Sequence, residues 1–195
     1  MATPALQIVP LRGRFIDMVP LTEAHAPSLL KNTTRDSFTY FRHDDPEWTP
    51  EGMARFVREC IDMPDRAPFA TVLKATGEAI GSSSYCDIRL ANKGIEIGWT
   101  WLGKDFRGTK ANPESKLLLM TYAFETLGCV RVQLKCDARN QLSHNAISKL
   151  GAVREGVLRK HVIVRNGFIR DSVLFSITQE EWPAVKAGLE KRVAM

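Results

Sequence analysis

Two strand-like runs, Ile95–Leu102 and Cys129–Cys136, are joined by a glycine-bearing turn and a single apolar helix, and this arrangement constrains the fold most. The second run alternates strictly. Val130, Val132, Leu134 and Cys136 share one face, and Arg131, Gln133 and Lys135 share the other. The helix between them carries Leu117, Leu118, Met120, Ala123, Phe124 and Leu127, and Gly128 suits its C-terminal cap. A helix that crosses between two neighbouring strands requires a mixed sheet.

The turn itself reads Arg107-Gly108-Thr109-Lys110-Ala111-Asn112-Pro113-Glu114. Asn112 suits an N-cap, and Pro113 suits the first helical position, where no N–H is required. Such a turn presents unpaired backbone N–H groups at the positive end of a helix dipole, which favours a phosphate. Arg107 and Lys110 add charge at the same place. An ordinary strand-to-helix loop has the same capping pattern. About thirty residues on comes Asp137-Ala138-Arg139-Asn140-Gln141-Leu142-Ser143.

The flanking segments read as α+β. Arg14–Leu21 is a first strand, followed by a helix from Thr22 to about Lys31. The segment Asn32–Glu47 is a loop or broken helix. Thr49-Pro50-Glu51 starts a helix with Met53, Phe56, Val57 and Ile61 on its apolar side. Strands follow at Phe69–Lys74 and Ala79–Leu90, with turns at Thr76-Gly77-Glu78 and Asn92-Lys93-Gly94. Asn140 starts a short helix ending at Gly151. A hairpin turning at Arg165-Asn166-Gly167 precedes a last helix from about Gln179 to Arg192. No repeat or flexible linker interrupts the chain, so residues 1–195 read as one domain, with a core of about 13–178 and a C-terminal helix of about 179–192.

Charge and composition bound the function. The 195 residues carry a net charge of +5, which fits an anionic cofactor, a partner rich in nucleic acid, or simply a solvated surface. No basic run with interleaved aromatics points to direct sequence-specific nucleic-acid binding. No stretch has the length and apolarity of a membrane span. Met1-Ala2-Thr3-Pro4 does not begin a secretory signal, so a cytoplasmic protein is expected. Cys60, Cys86, Cys129 and Cys136 lack C-x-x-C spacing and do not cluster with histidines, so free thiols are expected and a metal site is not.

Taken together, Glu96-Ile97-Gly98-Trp99-Thr100-Trp101-Leu102, the turn from Arg107, Asn140 with Ser143, Lys149-Leu150-Gly151-Ala152, and Arg170-Asp171 to Glu181-Trp182-Pro183 resemble the GNAT superfamily of acetyl-CoA-dependent N-acetyltransferases. The nearest branch is the RimJ/RimL-like one, and the resemblance runs from about Gly13 to Arg192. It implies a mixed, mostly antiparallel sheet with helices on both faces, splayed between 95–102 and 129–137. The exposed edge at Trp101 and Leu102 is then expected to bind the pantetheine arm of acetyl-CoA. Arg107, Gly108, Thr109, Lys110, Ala111 and Asn112 are expected at the pyrophosphate, with Asn140 at the cofactor arm. Lys149 is placed either near the nucleotide or simply on a helix surface.

Two positions depart from the family pattern. Lys110 stands where Gly or Ala is usual. Ile147 stands where many members carry a tyrosine that protonates the leaving thiolate. By the resemblance, Ser143 takes that role; by capping logic alone it is a first-turn residue. The implied reaction is direct attack of a neutral amine on the thioester, with strand N–H groups stabilising the oxyanion. Glu96, acting through water, and His161, on a strand that borders the acceptor site, are the candidate bases; the alternatives are a solvent-facing strand carboxylate and a strand histidine with an ordinary partner. Acceptor contacts are expected from Asn32–Trp48 and Val157–Asp171, with Asp36, Asp44, Asp45 and Glu47 either attracting a cationic amine or serving as surface charges. The expected acceptor is a protein N-terminal α-amine, plausibly ribosomal. The alternatives are a small amine, or a silent acyl-CoA-binding domain. A monomer and a homodimer both fit.

Overall fold

The computed structural model describes residues 6–41 and 44–194. The expectation about Met1–Pro4 therefore lies outside the described residues. Eight strands form one sheet in the order β1-β2-β3-β4-β5-β6-β8-β7. They are β1 (Leu11–Arg12), β2 (Ile16–Pro20), β3 (Arg66–Leu73), β4 (Ala79–Arg89), β5 (Gly94–Leu102), β6 (Arg131–Asp137), β7 (Val153–Ile163) and β8 (Ile169–Thr178). The helices are α1 (Ala26–Asn32), α2 (Pro50–Asp62), α3 (Ala111–Thr121), α4 (Gln141–Ser148) and α5 (Trp182–Ala194). All pairings are antiparallel except β5 with β6, where the α3 crossover forces a parallel pair. The α+β, mostly antiparallel sheet expected from the sequence is the one observed.

Two cores cover the sheet. The larger joins Ile95, Ile97, Leu119, Val132, Phe175 and Trp182 on the side of α3, α4 and α5. The smaller joins Leu29, Phe38, Met53, Phe56 and Trp101 on the side of α1 and α2. Thr49 accepts a hydrogen bond from Gly52 N at 3.0 Å and Pro50 begins α2, as the sequence predicts. Asn166 and Gly167 both have positive φ, which explains why the tip of the β7–β8 hairpin carries Asn-Gly.

Several local expectations are corrected. On α2 the buried stripe ends at Cys60, and Ile61 is exposed. Val130 is exposed and precedes β6 instead of opening it. The α3 helix begins at Ala111, with Lys110 as N-cap and no side-chain cap, so Asn112 lies inside the first turn. Pro113 is tolerated there because first-turn N–H groups have no helical acceptor in any case. The helix after Asn140 stops at Ser148, three residues before Gly151.

Glu114, buried on α3, locks that helix onto the sheet edge. Its carboxylate accepts from the backbone N–H groups of Arg14, Phe15 and Ile16 at 2.5, 2.9 and 2.9 Å. A charge-assisted hydrogen bond contributes about 1.5–3 kcal/mol. Glu114→Ala, which strands these donors, is expected to lower the stability measured by chemical denaturation by about 3 kcal/mol or more.

Candidate active site

Strand β5 has a neighbour on both sides only at its beginning. Gly94, Ile95 and Glu96 pair with Arg131, Val132 and Gln133; beyond Glu96 the two parallel strands share no register. The edge of β5 from Ile97 to Leu102 therefore faces a wedge-shaped gap, with β6 and the start of α4 on its far side. An open strand edge can pair with an amide-bearing ligand as it would with another strand.

A β-bulge lies along this edge. Ser82 pairs with Trp101 and Ser84 with Gly98, so Trp99 and Thr100 together face the single residue Ser83. Trp99 has φ of 52°, a left-handed conformation that a bulky side chain adopts only when its surroundings hold it there. The bulge shifts the side-chain alternation by one. Ile97 and Leu102 both reach the α3-side core although they are an odd number of positions apart, and Trp101 reaches the α1/α2 side. Trp99 also faces the α1/α2 side, where Arg66 stacks on its ring at 4.3 Å and Phe41 meets it edge-on.

At the end of β5 lies the turn singled out in the sequence. Gly108 takes φ of 74°, a left-handed position suited to glycine. Arg107 N bonds Lys104 O and Ala111 N bonds Thr109 Oγ1, whereas the N–H groups of Gly108, Thr109 and Lys110 have no acceptor among the described residues. Lys110 Nζ lies 4.7 Å from the centre of the Phe15 ring, so the side chain is directed onto the turn between β1 and β2. The guanidinium of Arg107 is committed elsewhere, to Asp36 at 2.6 Å, Ser37 at 2.9 Å and the Leu102 carbonyl at 3.1 Å. Free N–H groups ahead of α3, continuous with an open strand edge, fit a ligand with a phosphate at one end and amides along its arm.

The other sequence-derived residues divide between the two faces. Glu96 alternates with Ile95 and Ile97 and so faces the α1/α2 side. It is buried, and its Oε2 accepts from Lys135 at 2.8 Å and Gln133 at 3.0 Å. Gly98 is small for a reason, since a Cβ there would sit 3.1 Å from Glu96 Oε1 and 3.0 Å from Cys86 Sγ. Arg66, Cys86, Glu96 and Gln133 are register partners, forming a polar row across four strands. Burial and the neighbouring Glu96 carboxylate push the Cys86 thiol well above its usual range. His161 lies on the edge strand β7, with Nδ1 3.0 Å from Ser172 Oγ, beside an open depression of about 770 Å³ that Lys160 and Asp171 also line. Two strand spacings and the open gap, together more than about 14 Å, separate it from β5.

Asn140 and Ser143 sit across the gap. Asn140 caps α4, its Oδ1 accepting from Ser143 N at 3.0 Å. Burial raises the Cys136 thiol of the α3-side core, and Arg170 and the nearby Ser143 side chain act in the opposite direction. Ser143 and Glu96 thus belong to opposite faces of the sheet. Lys149 lies at the far end of α4, where its carbonyl accepts from Arg192 at 3.2 Å.

Of the carboxylates expected near the acceptor, Asp36 pairs with Arg107, Asp45 with Arg165 and Glu47 with Arg55, while Asp44 is exposed. Residues 42 and 43 of that segment lie outside the described residues. Sequence reasoning passed over the bulge, Arg66 and the buried Lys116. The isolated Gly98 inside a strand was a legible sign of the first. The spacing of Lys116 to Leu119, Met120 and Ala123 was a sign of the last.

Comparison with known proteins agrees with this geometry. The pattern of the "Acetyltransferase (GNAT) domain" matches residues 16–153. A crystal structure of a "putative acetyltransferase" from T. thermophilus superposes with a TM-score of 0.90 at 36% identity, covering 97% of this chain and 100% of that one. "Probable N-acetyltransferase YjcK" of Bacillus subtilis (strain 168) is 30% identical over 176 residues, 86% of this chain and 96% of its own length. "Putative ribosomal N-acetyltransferase YdaF" of the same organism is 32% identical over 110 residues, 56% of this chain, and the match spans 59% of that protein. Open strand edge, phosphate-ready turn and whole-length likeness coincide, and the chain belongs to the GNAT acetyltransferase family.

Proposed function

We propose that this chain is an acetyl-CoA-dependent N-acetyltransferase of the RimJ/RimL-like kind, working in the cytoplasm on the N-terminal α-amine of a protein. The observation that carries this reading is the gap between β5 and β6, whose open edge leads to the unpaired N–H groups before α3. The β5 edge holds the pantetheine arm through Trp101 and Leu102, and Gly108, Thr109 and Lys110 hold the pyrophosphate. Acetyl-CoA supplies the activated acetyl group as a thioester.

The two faces divide the labour. The amine enters on the α1/α2 side, where Glu96 takes its proton through a water while Lys135 and Gln133 hold the carboxylate in place. An α-amino group near pKa ~8 needs only about 1.4 kcal/mol to be neutral at pH 7, against about 4.6 for a lysine amine. A base acting through water is sufficient for the former. The bulge N–H groups oppose charge developing on the carbonyl oxygen, and Ser143, from the other side of the gap, supplies the proton for the departing sulfur.

Charge favours a peptide end over a polyamine or aminoglycoside. Asp36, Asp45 and Glu47 are neutralised by arginines, Glu96 is paired with Lys135, and the α1/α2 face and the β7 edge present Arg66 and Lys160. A polycation would meet repulsion there. The word "ribosomal" in the name of YdaF is in keeping with a ribosomal-protein acceptor.

CoA release is expected with short peptides bearing a free N-terminus and not with spermidine; preferential turnover of spermidine would reverse the acceptor assignment. Ser143→Ala is expected to lower kcat about 100-fold. Its calorimetric affinity for acetyl-CoA should stay unchanged, and an unchanged kcat would remove Ser143 from the chemistry.

A further inference from the structure

Lys116 is a costly residue to keep. It lies on α3, 4% exposed, and no carboxylate among the described residues pairs with it. Its Nζ donates to Thr100 Oγ1 at 2.6 Å and to Ser83 Oγ at 3.1 Å, and those two hydroxyls lie 2.7 Å from each other. A buried, unpaired ammonium is strongly disfavoured. An apolar side chain of similar length would fill the same space at lower cost.

The place of these contacts gives them meaning. Ser83 is the residue opposite the bulge, and Thr100 is one of the two residues it faces. Lys116 thus binds both banks of the bulge from the α3 side, while Arg66 stacks on Trp99 from the other. Thr100 is exposed although its partner is buried, because β5 has no neighbour on the gap side at this level.

We infer that Lys116 is a positioning residue for acyl transfer, holding the β5 bulge in its strained form and placing a positive charge behind the strand where the thioester carbonyl is polarised. The inference rests on the acyl-CoA reading of the gap. The charge acts through β5 and the hydroxyl of Thr100; Lys116 touches neither substrate. Negative charge developing on the carbonyl oxygen is opposed by an ammonium that water cannot screen.

The protonation of Lys116 is adjustable. Burial lowers its pKa to about 7, and the Cys86 thiol of β4 acts on it in the opposite direction. Burial also raises the Cys86 thiol and the Tyr85 hydroxyl of β4, so neither ionises near neutrality. Glu114, on α3 itself, is engaged with the backbone of residues 14–16, and β2 offers the apolar Ile16 and Met18. The ammonium form is therefore present below about 7 and is lost as pH rises through it.

The test is isotope-edited infrared spectroscopy of acetyl-CoA labelled with ¹³C at the carbonyl, bound to the full chain, with calorimetry alongside. It needs no acceptor amine. In the wild type the bound carbonyl stretch should be red-shifted from that of free acetyl-CoA, with the shift shrinking as pH is raised through about 7. In Lys116→Met the shift should be reduced and independent of pH. The affinity should stay within about twofold, and the denaturation midpoint at pH 7 should equal or exceed the wild type's. Thr100→Val, at an exposed residue, should reduce the shift with Lys116 intact, and serves if Lys116→Met does not fold. With a peptide acceptor, kcat of Lys116→Met should fall about tenfold or more at unchanged KM. A wild-type-like, pH-dependent shift in either variant would overturn the inference. Failure of the wild type to bind acetyl-CoA would overturn the functional reading itself, and this inference with it.

Discussion

Past Glu96, strand β5 is satisfied on one side only, and the rest of the site follows from that constraint. A central strand with an unpaired edge is unstable by itself, because its N–H and C=O groups must be hydrated or bound. Here the edge is kept in place from the other side. Antiparallel pairing with β4 holds it, Lys116 and Arg66 grip the bulge from its two faces, and Arg107 fastens the Leu102 carbonyl at its end. The gap is a consequence of the register and needs no moving part to form.

The polar groups around the gap are arranged by strand alternation. Because β5 exchanges faces at Trp99, one short stretch of chain presents Glu96 and Trp99 to one side and Thr100 to the other. In the proposed reaction this would keep the two proton transfers apart, with Glu96 on the α1/α2 side and Ser143 on the α3 side. Ion pairing engages Asp36, Asp45 and Glu47. The loop carboxylates that attracted attention in the sequence serve to tie the 34–48 segment to the phosphate turn through Arg107 and to the β7–β8 hairpin through Arg165.

Most of the architecture was legible because it follows from periodicity and punctuation. The alternation of Val132, Leu134 and Cys136, the Thr49-Pro50 start and the Asn166-Gly167 turn each specify a local geometry that tertiary packing does not override. The start of α3 was misplaced by a residue or two because Asn112-Pro113 imitates a cap inside the first turn. The site was harder to read. Nothing in the spacing of Arg107 reveals that its guanidinium reaches Asp36, 71 residues away in sequence. A bulge needs the register of a partner strand to be seen, and Gly98 was its only local trace. The burial of Lys116 depends on hydroxyls from two strands, which no local pattern displays.

The central claim is that the β5 edge and the turn before α3 form one acyl-CoA site, and amide hydrogen exchange with and without acetyl-CoA addresses it directly. The account predicts slowed exchange at Ile97–Leu102 and at Gly108–Asn112 together, with β2 and β3 unchanged. Binding that leaves residues 97–102 exchanging as in the free protein would contradict it, since the open edge would then have no part in holding the ligand.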